Sequence, residues 1–124
     1  MASTFYEDLD HELRRILGDG RIVKDYVVPQ IPDAGAYPVD FAVTDSKVPL
    51  YIFGVPNNDK AKLATIILQH FQQARHAFES LVVLSGLDSI SRGDLRRLMN
   101  AANEMVDSPD STEALERKLN RLAA

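Results

Sequence analysis

Apolar residues recur at spacings of three and four through Phe5, Leu9, Leu13, Ile16 and Leu17. That period predicts an amphipathic helix over 5–17, with Ser3 or Thr4 as its N-cap and Gly18-Asp-Gly20 as its stop. Residues 21–28 alternate weakly and are rich in valine, which predicts a strand. Residues 29–37 hold two prolines and a glycine and read as a loop. A second strand is expected over 39–43, a turn over 44–47, and a third strand over 50–55. The third, Leu-Tyr-Ile-Phe-Gly-Val, is apolar on both faces, as a central strand requires.

Pro56-Asn-Asn58 closes that strand, and Asn58 or Asp59 opens a long helix over 60–78. Leu63, Ile66, Ile67, His70, Phe71, Ala74 and Phe78 make its expected apolar face. Residues 81–84, Leu-Val-Val-Leu, predict a short buried strand. Ser91 followed by Asp94 resembles a capping box and opens a helix expected to run through 106. Ser108-Pro109 predicts the start of a last helix to 122, carried on Leu115, Leu119 and Leu122. The order is α-β-β-β-α-β-α-α, an α/β (α+β) chain with a mixed four-stranded sheet and two C-terminal helices. The connection through the long helix is expected to be right-handed.

Length and composition narrow the classes. The 124 residues suit one domain with a single core. The absence of cysteine excludes disulfides, thiolate metal sites and a cysteine nucleophile. No apolar run reaches the ~18 residues that a membrane span needs, and 1–17 is charged, unlike an export signal. A non-membrane, cytoplasmic protein is expected. Fourteen Lys and Arg against eighteen Asp and Glu give a net charge of −4. Nucleic-acid binders usually carry a basic surplus, because phosphate contacts dominate their affinity. Only local basic clusters remain here: Arg92, Arg96 and Arg97, then Arg117, Lys118 and Arg121.

The element order over 5–84 is similar to the α-β-β-β-α-β core of the PD-(D/E)XK nuclease superfamily. The stretches PVDFAV, PLYIFGVPNND and LVVL, with the long helix between the last two, also resemble a prokaryotic and phage domain of unknown function associated with that superfamily. The resemblance implies an acid in the second strand and an acid in the third that hold Mg²⁺, a third-strand lysine that positions water, and often a glutamate from the first helix. Hard oxygen ligands must converge on one cation for that chemistry.

Asp40 matches the second-strand acid. Asp45-Ser-Lys47 spells the remainder, but Asp45 is five residues from Asp40 on one strand, about 16 Å at ~3.3 Å per residue. A hairpin turning near Ser46 sets Asp40 opposite about Ile52, where neither acid nor lysine stands. Asp45-Ser-Lys47 is therefore expected to be turn chemistry, and Asp40 the partner of a nearby Arg or Lys or else solvated at the strand's start. The alternative is a relocated Mg²⁺ nuclease site, with Asp40, Glu7 and Glu12 as ligands and Lys60 (or Lys62) in the lysine's role.

Other chemistry is thin. His11, His70 and His76 lack metal-ligand spacing, so no zinc site is expected. The serines have no nucleophile-elbow context. Gly18-Asp-Gly20 lacks the rest of a phosphate loop. The scattered aromatics fit packing better than base stacking. The sequence thus favours a non-catalytic, regulatory protein-interaction domain of prokaryotic or phage origin, including a defence or counter-defence inhibitor. A core over 1–88 would carry a helical extension over 89–124. Its expected contacts are Ile31 and Tyr37 in the long loop, Arg92, Arg96 and Arg97, and Leu115, Leu119 and Leu122 as a partner or homodimer surface. No cofactor is expected outside the Mg²⁺ alternative. A nucleic-acid-binding module without chemistry is the third reading.

Overall fold

A computed structural model describes residues 4–124. Five strands form one mixed sheet in the order β1-β2-β3-β4-β5. They are β1 (Val23–Tyr26), β2 (Val39–Val43), β3 (Leu50–Val55), β4 (Glu79–Leu84) and β5 (Glu104–Val106). The first three form an antiparallel meander, and β4 and β5 then add in parallel. Four helices cover the sheet: α1 (Phe5–Leu17), α2 (Asn58–Gln73), α3 (Arg92–Ala101) and α4 (Thr112–Leu122). None is long and apolar enough to cross a membrane.

Alternation along β3 and β4 divides the core in two. Tyr51, Phe53 and Val55 with Val82 and Leu84 pack under α2 and α3. Leu50 and Ile52 with Leu81 and Val83 pack under α1 and α4. Strands apolar on both faces are what a sheet covered by helices on each side demands. Gly54 is the exception on the α1 side. A Cβ there would lie 2.9 Å from Phe5 Cε2 and from Tyr6 Cε1 and 3.1 Å from Leu9 Cδ2, so its missing side chain is what lets α1 approach the sheet.

The fifth strand corrects the expected four. The helix expected over 91–106 ends at Ala101, and Ala102 turns extended at φ −96° and ψ 150°. Asn103 then fixes the new direction: its Oδ1 accepts from the Ser80 N–H and hydroxyl, and its own N–H donates to Ser80 Oγ. Leu81, Val82 and Val83 pair with Glu104, Met105 and Val106. The segment 89–124 is thus integral to the sheet and to both core layers rather than a purely helical extension.

Other boundaries move for local reasons. The long helix stops at Gln73, because Arg75 takes the left-handed conformation at φ +56°. The last helix starts at Thr112, after a turn in which Ser108 Oγ accepts from the Asp110 N–H. Within α2 the buried stripe is Ala61, Ala64, Ile67, Leu68 and Phe71, while Leu63 and Ile66 face outward at 43% and 54% exposure. Leu115 and Leu119 are fully buried beneath the sheet, and Leu122 packs against them. Ile31 is also buried, at 5% exposure. These side chains are taken up by the chain's own core and are not the open contact surface expected of them.

Candidate functional site

The residues singled out by the nuclease resemblance lie where β2 parts from β3. Phe41 pairs with Ile52 and Val43 with Leu50. Asp40 is therefore one position off the expected partner Ile52. Beyond Phe41 the ladder is replaced by a side chain: Asp40 Oδ2 accepts from the Gly54 N–H at 2.9 Å. The same oxygen receives Lys60 Nζ at 2.7 Å. Lys60 is placed by the start of α2, where Asn57 Oδ1 caps the helix by accepting from the Lys60 N–H.

Tyr6 completes the group from α1. Its hydroxyl donates to the Gly54 carbonyl at 3.0 Å and accepts from Lys60 Nζ at 3.0 Å, and the ammonium stands 5.1 Å from the centre of its ring. Burial would lower the pKa of Lys60, but the Asp40 carboxylate and the Tyr6 hydroxyl outweigh it and the net shift is upward. One cation thus ties together α1, β2, β3 and α2.

These side chains do not converge in this structure as the ligands of one Mg²⁺ would. One Asp40 oxygen, Oδ2, already accepts two hydrogen bonds, one from an ammonium. Glu12 is held elsewhere on α1 by Arg15, at 2.8 and 3.1 Å, and by the Thr112 hydroxyl of α4. The Arg15 hydrogen bond, against a small desolvation cost, keeps Glu12 below its ordinary pKa. Glu7 is exposed. Among the described residues no three His, Asp or Glu side chains converge on a point that could hold a metal ion. The relocated site is therefore half assembled: Lys60 reaches Asp40, and the other acids do not.

Asp45-Ser-Lys47 lies in the turn between β2 and β3. Arg21 grips Asp45 with Nε and Nη2 at 2.9–3.1 Å, and Ser46 Oγ donates to the Val48 carbonyl at 2.6 Å. Arg21, through a hydrogen bond that outweighs slight desolvation, lowers the pKa of Asp45.

Two histidines serve packing. His70 stacks on Tyr37, with ring centres 3.8 Å apart, and its Nε2 is 2.9 Å from the Pro32 carbonyl, so it pins the long loop to α2. His76 Nε2 meets the Tyr51 hydroxyl at 2.6 Å within a cluster that includes Phe71 and Phe78. Desolvation lowers the pKa of His76 and raises that of Tyr51 to about 12.

Arg92, Arg96 and Arg97 are exposed on α3. Sequence reading missed what Arg97 joins. Asp94 in the same helix is only 6% exposed, and it lies 3.2 Å from Arg97 Nη1 and 3.6 Å from Lys62 Nζ of α2. The three-residue spacing of Asp94 and Arg97 was visible in the sequence; Lys62 joins only through tertiary packing. Comparison with family models, with curated proteins and with solved structures returns no match for this chain.

Proposed function

We propose that this chain is a non-catalytic protein-interaction domain built on a degenerate PD-(D/E)XK-like core. A regulator or inhibitor in prokaryotic or phage defence and counter-defence is the setting that the resemblance suggests; that step is analogy from fold. The observation that carries the reading is the fate of Asp40, whose Oδ2 is taken by Lys60 and Gly54 while no pair of further acids joins it among the described residues. In support, α2 and α3 expose aliphatic Leu63, Ile66 and Met99 along with Lys62, Arg92, Arg96 and Arg97, a composition suited to another protein.

The test uses the immobilised full chain and a nuclease-treated lysate of the cells that produce it. Retention of one protein at fixed stoichiometry, with no cleavage of DNA or RNA by the chain in Mg²⁺, is the expected result. Retention that disappears on nuclease treatment, or cleavage by the chain alone, overturns the reading. The Mg²⁺ nuclease stands as a second reading because Lys60 does reach Asp40, and metal titration decides it.

A further inference from the structure

Helices α2 and α3 are tied at both ends. At the start, Asn58 Oδ1 accepts from the Ser91 N–H at 2.7 Å; at the finish, Gln72 Nε2 donates to the Ala101 carbonyl at 2.8 Å. The two helices therefore run side by side in the same direction, and the furrow between them is fixed before anything binds. Its wall and floor are Lys62, Thr65, Ile66, Gln69, Asp94 and Arg97, around a cleft of about 350 Å³. Ile66 offers an aliphatic side chain that is 54% exposed. Buried Asp94 stations two cations over the cleft, Lys62 from one helix and Arg97 from the other; their side chains are 62% and 69% exposed.

We propose that this furrow receives an acidic amphipathic helix from a protein partner, with an apolar side chain on Ile66 and flanking carboxylates on Lys62 and Arg97. The inference rests on the interaction reading and names its surface and partner class. Charge complementarity selects the sign. The chain as a whole is at −4, yet at the furrow Lys62 and Arg97 outnumber Asp94, so this cleft is locally positive on an acidic chain. The parallel ridges select the shape, because a helix seats its own ridge between two others. Rigid walls reduce the ordering cost of binding. Nucleic acid fits less well: the exposed apolar group is aliphatic and offers a base no aromatic plane.

The test titrates the isotope-labelled full chain by NMR with a synthetic amphipathic peptide of roughly 15 residues, long enough to hold a helix, carrying leucines on one face and glutamates on its flanks. The same peptide with lysine for glutamate and a short DNA duplex are the controls. Saturable shifts confined to amides near Lys62, Ile66, Gln69 and Arg97, for the acidic peptide alone, are expected. Lys62→Glu with Arg97→Glu should weaken binding about tenfold or more, and Ile66→Ser should weaken it severalfold. Ile66→Ser changes an exposed side chain, whereas the charge reversals also remove the partners of buried Asp94, so unchanged dispersion of the remaining signals is required of each variant and Ile66→Ser carries the test if the double reversal unfolds. Binding by the basic peptide or the duplex at these residues, shifts elsewhere, or no shifts overturns the proposal. If the partner retained from lysate binds the Lys62→Glu/Arg97→Glu/Ile66→Ser chain undiminished, this surface is wrong while the interaction reading stands.

Discussion

Lys60 Nζ lies 2.7 Å from Asp40 Oδ2, an ion pair that fastens the first turn of α2 to the second residue of β2. Both side chains are mostly buried, at 17% and 22% exposure, so the pair stands partly out of water. Removing one partner strands the other. Asp40→Ala leaves the Lys60 ammonium without its counter-charge and the Gly54 N–H without its acceptor, and Lys60→Ala leaves a carboxylate short of its cation. Each is expected to cost about 2–3 kcal/mol. The double variant should lose less than the sum, a coupling that a denaturant double-mutant cycle measures. Additive losses would mean that the pair contributes nothing jointly. Because the pKa of Lys60 is raised on folding, this contribution is fully present below the unfolded lysine value and is lost as pH rises through the folded one.

Gly54→Ala tests the approach of α1 to the sheet. The new methyl would meet the Phe5 and Tyr6 rings at 2.9 Å, and both rings are packed in place. A loss of about 1–3 kcal/mol is expected, with amide shifts concentrated in α1. Unchanged stability would show that α1 yields freely.

Leu115→Ala and Leu119→Ala should each destabilise the fold by about 2–5 kcal/mol, since both leucines are fully buried beneath the sheet. Thermal unfolding distinguishes this from a surface role, in which stability would hold.

The His76–Tyr51 pair predicts a pH signature. His76 has a depressed pKa in the folded state, so the unfolded chain takes the proton first. Stability should be undiminished above about 6.5, the ordinary histidine value, and fall as pH drops from there toward the folded value. His76→Gln should flatten that slope in denaturant curves run across the range. The Tyr51 phenol, raised from 10.0 to about 12, works at the other end: its contribution is intact below 10.0 and is lost as pH rises toward 12. Tyrosinate absorbance with an ordinary midpoint for Tyr51 would contradict the buried placement.

Much of this architecture was legible where the chain repeats a period. Leu-Tyr-Ile-Phe-Gly-Val reads as a central strand and is one, and the stripe Phe5, Leu9, Leu13 does bury α1. The reading failed where small residues carry packing. Ile67 and Phe71 were expected inside α2 and are, but Ala61 and Ala64 are buried there too, and their modest hydropathy let Leu63 and Ile66 pass for part of the inner face. The strand Glu104–Val106 is three residues long, too short for a period, and Ala102 with Met105 continued the spacing of α3 through it. At the site, the sequence left Asp40 open between pairing with a basic residue and solvation at the strand's start, and the structure shows the pair. That the residue is Lys60, with Tyr6 above it, depends on where α1 and α2 dock on the sheet.

Mg²⁺ titrated into the isotope-labelled chain, with the amides of Asp40, Gly54 and Lys60 observed, decides whether Asp40 is paired or open to metal. The closed Asp40–Lys60 pair predicts no site-specific shift at these amides through low-millimolar metal, only diffuse changes at exposed acids. Saturable shifts at Asp40 and Gly54, abolished by Asp40→Asn, would contradict it and make this a metal centre.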